Sequence, residues 1–552
     1  MDQSVPRGGE EIVGATLGGR PRGTAPQGCP CGIPMPTLTI TYADETREIE
    51  CDSNRVIGEM IPASGFPLEQ PCAGRGTCAK CKVIAEGALA PHDEVEQKHL
   101  LAAERAANVR LACRARVMGN TRVTLMPVIV YSNKIFARSN EFRTNDDPLG
   151  LAIDLGSTTV AAFLVSLKTG TVYAGAGALN QQTIFGADVI ARLNAAAKNA
   201  DKLSALAQSS IFQAIAALKL SQRVLVRIER VIIVGNTVMH HLLMRYPVDK
   251  IAVLPFQPHD RASMRDAGDF FGNLFPEGAR VALPPLIGGF VGSDTTACLA
   301  SFDYDRARAP MLAIDLGTNG EVMATNGDAI LVASTAAGPA FEGVNISSGT
   351  RAVDGAIVEA RVQDGNLRVT TIANRVPIGI AGSGLFSLIH ALRGAGVIEE
   401  SGRYAGNHTT IPIDRSNDVA RVVINARVAL TQMDIRELQK AKAAIRVAAD
   451  ILLGKLNVAP RELRRVILTG SFGSQLNKDA LLGIGLLPDV DRARIEMVAN
   501  GAGLGAAIFL REEGFARGEA LAARAEHVEL NSEPDFNARF VDALKLSPGE
   551  QL

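Results

Sequence analysis

Four of the eight cysteines are spaced to hold iron. Cys72, Cys78 and Cys81 follow a C-x5-C-x2-C pattern, and Cys113 comes after a further 31 residues. Iron–sulfur clusters need four thiolates, and three on one loop with a distant fourth closing the site is a [2Fe–2S] spacing. Gly74 and Gly76 would let such a loop wrap the cluster and turn N–H groups toward its sulfurs. Zinc and unligated thiols are the alternatives, although a zinc ribbon would want two C-x2-C pairs where this stretch has one. Cys51 and Cys298 have no such company and read as buried apolar residues. Cys29 and Cys31 lie in a Gly- and Pro-rich stretch and read as incidental.

A second chemistry is written twice. Leu151–Val165 is an apolar run that meets Asp154, turns through Gly156, Ser157, Thr158 and Thr159, and resumes as an apolar strand. The hydroxyls and turn N–H groups can donate to phosphate, and Gly156 allows close backbone approach. Asp154 would hold Mg²⁺ through water, because Mg²⁺ keeps much of its hydration. Leu312–Ala324 repeats the pattern with Asp315, Gly317, Thr318, Asn319 and Gly320, 161 residues later. A ligand-free Asp-Gly hairpin would explain one such turn. Two copies at domain-sized separation argue for phosphate.

The elements that must position these residues follow from pattern. Residues 1–36 are rich in Gly and Pro and read as a disordered tail. Residues 37–130 form a first compact unit: a hairpin of Thr37–Tyr42 and Thr46–Cys51, a helix Val56–Ala63, the cysteine loop, a strand Lys82–Glu86, a helix Glu94–Ala106, and strands at 110–115 and 121–125. Residues 131–150 read as a linker. From 151 the chain is α/β, divided into 151–286 and 287–526, with a polar tail 527–552 in which Phe536 and Phe540 are possible anchors. Residues 247–285 are an irregular, Pro-rich insertion. Asp434 and Glu437 have capping-box spacing for a following helix. Adjacent His240 and His241 point about 100° apart on a helix and cannot share a metal in the i, i+4 manner, so they read as structural.

Bulk properties exclude several classes. A length of 552 residues suggests three or four domains or two large ones. Near-equal basic and acidic counts, 57 and 58, with no Trp and six Tyr, argue against nucleic acid as a partner. No apolar stretch reaches the roughly 18 residues of a membrane span. The first 36 residues lack the apolar centre of a signal peptide, so the cytoplasm is the default location.

The motifs together resemble known families. The 37–130 unit resembles [2Fe–2S] ferredoxins of the β-grasp fold, with the x5 gap of the adrenodoxin-like variant. The order Asp154–Thr159, Gly235-Asn236-Thr237, Asp315–Gly320, Gly470–Gly473 and Gly501–Gly505 resembles the acetate and sugar kinase, heat-shock and actin superfamily. That resemblance implies a duplicated actin-like ATPase fold hinged over ATP·Mg²⁺. It implies that Asp154 and Asp315 face the metal, that 156–159 and 317–320 clamp the phosphates, that Gly470, Ser471 and Gly473 border the adenosine, and that Gly501 and Gly503 lie near the hinge. Gly292-Ser293-Asp294 is similar to the turn carrying the catalytic Asp of sugar kinases, where Asp294 would orient or deprotonate the attacking water; an N-cap role for helix 295–301 is the alternative.

The fusion itself resembles the reductive activators of corrinoid proteins, including activating enzymes of O-demethylase and other methyltransferase systems. Further shared strings are GNTVMHHLL (235–243), GGFVGSD (288–294), TQMDIRELQKAKAAI (431–445) and VELNSEPDFNARFVDAL (528–544). Members of that family can carry a middle domain between ferredoxin and ATPase, and only about 20 linker residues stand there in this chain. The resemblance implies ATP-assisted reduction of an inactive Co(II) corrinoid to Co(I), with electrons from an external low-potential donor relayed through the [2Fe–2S] cluster. Monomer and homodimer both stay open. Competing readings are an electron donor like the 2-hydroxyacyl-CoA dehydratase activators, a small-molecule kinase with an appended ferredoxin, and a non-catalytic redox scaffold.

Overall fold

A computed structural model describes residues 35–42, 45–125, 141–343, 345–406, 410–416, 419–470 and 476–548. Cys29, Cys31, Ser471, Gly473 and most of the expected tail and linker lie outside the described residues.

The first unit is a five-stranded sheet of β1 (Thr37–Tyr42), β2 (Glu45–Glu50), β3 (Lys82–Leu89), β4 (Val109–Leu111) and β5 (Val117–Leu125), in the order β2-β1-β5-β3-β4. β1 pairs antiparallel with β2 and parallel with β5. Alternation buries Leu38 and Ile40 from β1 against Val117, Val123 and Leu125 from β5. The helix expected over 94–106 is instead two, Glu94–His99 and Ala102–Ala106. Leu100 turns extended between them and enters the core, while Leu101 stays exposed and Glu104 accepts its N–H. A continuous helix would forgo that separate cap. Glu96, fully buried, holds Arg110 through two bonds of 2.9 and 2.7 Å and accepts the Leu111 N–H. This fixes β4 ahead of Cys113.

The rest of the chain builds two lobes on one plan. The first carries β6 (Leu149–Leu155), β7 (Thr159–Ser166), β8 (Val172–Leu179), β9 (Ile228–Gly235) and β10 (Arg280–Ala282), in the order β10-β9-β6-β7-β8. The second begins with β11 (Met311–Leu316), β12 (Gly320–Thr325) and β13 (Ile330–Thr335). A side sheet of β14 (Ala356–Gln363), β15 (Asn366–Thr371) and β16 (Gly379–Ile380) follows, then a hairpin of β17 (Arg421–Val423) and β18 (Ala429–Thr431). β19 (Arg465–Gly470), β20 (Ile495–Met497) and β21 (Ala525–His527) complete the order β20-β19-β11-β12-β13-β21. In each lobe an Asp-bearing hairpin, β6–β7 or β11–β12, is flanked by a parallel strand, β9 or β19. These central strands are buried along their length, as strands covered on both faces must be.

Three sequence expectations change here. The insertion 247–285 is not wholly irregular: its end supplies β10, parallel to β9. The helix Gln432–Lys455 is capped by Thr431, with Asp434 at its third position returning a bond to the Thr431 N–H at 2.8 Å. Thr431-x-x-Asp434 thus outcompetes Asp434-x-x-Glu437, because Thr431 is where β18 ends and extended φ/ψ is already set. Residues 528–548 are packed, not a tail, since Leu546 is fully buried and Phe536 and Phe540 stack at 6.1 Å against the second lobe's core.

Between the lobes, the helices Ser293–Ser301 and Gly501–Phe509 cross at backbone contact. A Cβ on Gly505 would sit 2.0 Å from the Ala297 carbonyl oxygen. One apolar core joins the inner faces of both sheets with these helices, taking in Phe163, Ile232, Met323 and Ile467.

Candidate cluster site and nucleotide cleft

The cysteine loop is wound by four left-handed residues, Ala73, Gly74, Gly76 and Ala79, at φ of 50°, 79°, 77° and 51°. Successive turns of this kind aim N–H groups inward and make an anion-binding concavity. The backbone N–H groups of Cys78, Thr77 and Gly76 donate to the Cys72 sulfur, and that of Lys80 to Cys78. The thiols gather as two pairs: Cys72 with Cys78 and Cys81 with Cys113, each within hydrogen-bonding reach. The Cys78 thiol and then the backbone donors, against the opposing effect of burial, pull Cys72 down to about 4, while Cys78 and Cys81 are pushed up by their partners and by burial. Among the described residues no three His, Cys, Asp or Glu side chains converge on one ion position. Two thiol pairs fit two bridged irons better than one tetrahedral zinc. Cys72, Cys81 and Cys113 are buried, and Cys78 alone of the four is partly exposed.

The candidate nucleotide cleft is walled by both turns. Asp154, Gly156, Ser157, Thr158 and Thr159 face Asp315, Gly317, Thr318 and Asn319 across it, with Asp294 alongside. Thr158 and Thr318 share a hydrogen bond of 3.0 Å that joins the two lobes. Asp294 is the second residue of its helix, whose N-cap is Gly292, so the N-cap alternative does not hold. Gly292 touches the end of β9, where an added Cβ would lie 2.2 Å from Gly235 O, and this contact brings Asp294 into the cleft.

The remaining glycines do structural work beside it. Gly320 packs on Ile445, Gly501 on Phe302 and Cys298, and Gly503 on Phe163 and Asn500. Gly470 (φ +101°) ends β19 directly beside the second turn, where a side chain would collide with Asp315. Among the described residues it is Ala502 of that helix that reaches the cleft wall.

Four further residues complete the site. Asn236 caps the helix Thr237–Met244 through Met239 N and donates to Ser157 Oγ at 3.1 Å. Arg192, fully buried, donates to Ser157 O at 2.5 Å and to Gly186 O at 3.1 Å. Burial lowers its guanidinium to about 10, so it remains charged at neutral pH. Glu321 is paired with Asp315 across β11–β12 and lines the cleft, as does Glu342, which accepts Thr318 Oγ1 at 3.0 Å. Glu321 was within reach of sequence reading, since it follows the second turn directly; Arg192 and Glu342 depend on tertiary approach. Cys298, expected as a plain apolar residue, donates its S–H toward Asp315 at 3.7 Å, and burial followed by Asp315, Asp294, Asp154 and Glu321 raises its thiol well above the usual range.

His240 and His241 are buried and structural. His241 Nδ1 meets Thr237 O at 2.8 Å and its Nε2 accepts the His259 N–H.

Comparison with known proteins follows the same division. Residues 40–118 match a profile described as a 2Fe-2S iron-sulfur cluster binding domain, 149–307 one described as the RACo middle region, and 309–551 one described as the C-terminal domain of RACo, the ASKHA domain. The middle region is therefore present, as the lobe that follows the linker and not as an extra domain within it. The corrinoid activation enzyme RamQ of Eubacterium limosum is 31% identical over 436 residues, covering 74% of this chain and 72% of the relative. A [Co(II) methylated amine-specific corrinoid protein] reductase of Methanosarcina barkeri is 23% identical over 371 residues, 61% of this chain and 66% of the relative. The solved reductive activator for corrinoid, iron-sulfur protein superposes with a TM-score of 0.67 at 24% identity, covering 92% of this chain and 98% of that one, and has the same fold. With all three domain profiles in register and a relative matched over most of its length, this chain belongs to the family of reductive activators of corrinoid proteins.

Proposed function

We propose that this protein uses ATP to return the inactive Co(II) form of a methyltransferase-system corrinoid protein to Co(I), with electrons from an external low-potential donor. The observation that carries this reading is the presence, in one chain, of two paired-thiol positions and a two-lobed cleft whose hydroxyl turns face each other. Cys72, Cys78, Cys81 and Cys113 would hold a [2Fe–2S] cluster, which when bound supplies one-electron storage at about −400 mV. The partly exposed Cys78 marks the side open to a redox partner. Thiols free of disulfide bonds suit the reducing cytoplasm.

Co(II) to Co(I) takes one electron and is harder than such a potential readily reaches. ATP can close the gap only through unequal affinity for two conformations of the activator–corrinoid complex. In this reading Asp154 and Asp315 hold Mg²⁺ with Glu321 supporting Asp315, the turns at 156–159 and 317–319 bind phosphate, and Asp294 orients the water that converts ATP to ADP and phosphate. Mixing pure protein, reductant and a Co(II) corrinoid protein should give Co(I) absorbance that depends on ATP; an equal rate without ATP would overturn the reading. Cys81→Ala should abolish Co(I) formation and leave ATP binding by calorimetry nearly intact. Loss of both together would refute this division of labour.

A further inference from the structure

Resting on that reading, we propose that Arg192 and Lys80 are positioning residues that tie the two phosphate turns to opposite ends of the cysteine loop, so that a nucleotide triphosphate between the turns alters how the loop holds its iron. Each turn has its own arm. In the first lobe, Arg192 grips Ser157 O and Gly186 O; the next residue, Ala187, donates its N–H to Pro71 O at 3.1 Å, and Pro71 precedes Cys72. In the second lobe, Thr318 donates to Glu342; the next residue, Gly343, lies directly on Gly349, where an added Cβ would stand 2.1 Å from Gly343 O. Gly349 O accepts the Lys80 ammonium, and Lys80 stands between Cys78 and Cys81.

The arms have little slack. They run through backbone carbonyls, buried donors and glycine contacts too tight for a side chain, and rigid elements of this kind transmit displacement between sites. They also come from different lobes. A change in lobe separation must therefore pull the Pro71 end of the loop against the Lys80 end, or break one of the two contacts. Flanking bonds hold the domain in place on both sides: Gln213 to Gly65 O at 2.6 Å and Arg351 to Glu69 at 3.5 Å.

The test uses the full chain with its cluster reconstituted and a non-hydrolysable ATP analogue with Mg²⁺. Hydrogen exchange over 65–81 and the electron paramagnetic resonance line shape of the reduced protein should both change when the analogue binds. Lys80→Met should lose these responses while calorimetric binding of the analogue is unaltered, and Lys80→Arg should restore them. Arg192→Lys, which keeps the charge but cannot bridge both carbonyls, should blunt the response from the other side. Binding by calorimetry with no change at the loop in the unsubstituted chain would overturn this proposal and leave the ATP-driven reading standing. A full response in Lys80→Met would also overturn it. No binding at all would overturn both. If Lys80→Met takes up no iron, Lys80→Gln, which is neutral and too short to reach Gly349 O, is judged by the same criteria.

Discussion

The two lobes share a strand plan and differ in charge. In the first, Asp154 faces Ala161 across its hairpin; in the second, Asp315 faces Glu321. Behind the first turn stand a guanidinium and an amide, Arg192 and Asn236, both bonded to Ser157. Behind the second stands a carboxylate, Glu342, bonded to Thr318. The same turn occurs twice, with the carboxylates of Asp315, Glu321 and Glu342 gathered around the second. On the proposed reading a metal would favour the Asp315 side, since hard divalent cations seek carboxylate oxygen.

Substitutions can break this asymmetry or sharpen it. The largest effect is expected for Asp315→Asn, with ATP turnover falling roughly 10²- to 10³-fold, as when one preorganised electrostatic group is lost. Asp154→Asn should cost less, and equal losses in a phosphate-release assay would erase the distinction. Glu321→Gln should raise the Mg²⁺ concentration for half-maximal turnover by about tenfold, in the range of groups that support a metal ligand. A smaller difference separates the two bridging hydroxyls. Thr318→Val loses bonds to both Thr158 and Glu342, whereas Thr158→Val loses the one to Thr318, so thermal denaturation should place the former about 1 kcal/mol lower in stability.

The smallest contrast at neutral pH grows in acid. Burial holds His240 at about 3 and His241 at about 4. The unfolded chain takes up protons near pH 6.5 that the folded helix refuses, so stability is full above that pH and falls as pH drops toward 4. His390 and His527 of the second lobe are lowered less far by the same cause. Hydrogen exchange at pH 5 should therefore loosen the helix Thr237–Met244 before the corresponding helix Lys478–Gly483. Simultaneous loosening would remove the histidines as its cause.

Much of this was legible in residue order. Cysteine spacing carries information because a cluster accepts few ligands and few geometries, and the Asp-bearing hairpins announce themselves through apolar runs closed by Gly and hydroxyls. What stayed hidden depends on pairing and approach. Glu321 is adjacent to the second turn, but only the β11–β12 register sets it opposite Asp315. Arg192 looks like any cation on a long helix until Ser157 and Gly186 meet it. Thr431 displaced Asp434 as a cap because β18 had already extended the chain there. The seating of the first domain on both lobes rests on contacts such as Lys80 to Gly349, which no local pattern encodes.

One crossing carries more than its size suggests. Where Gly505 lies against Ala297, two rods touch backbone to backbone, and the Phe302 ring fills the notch left at Gly501. Such a joint tolerates no thickening. A single methyl added at Gly505 would force the two helices apart, and with them the sheets of both lobes that share their core.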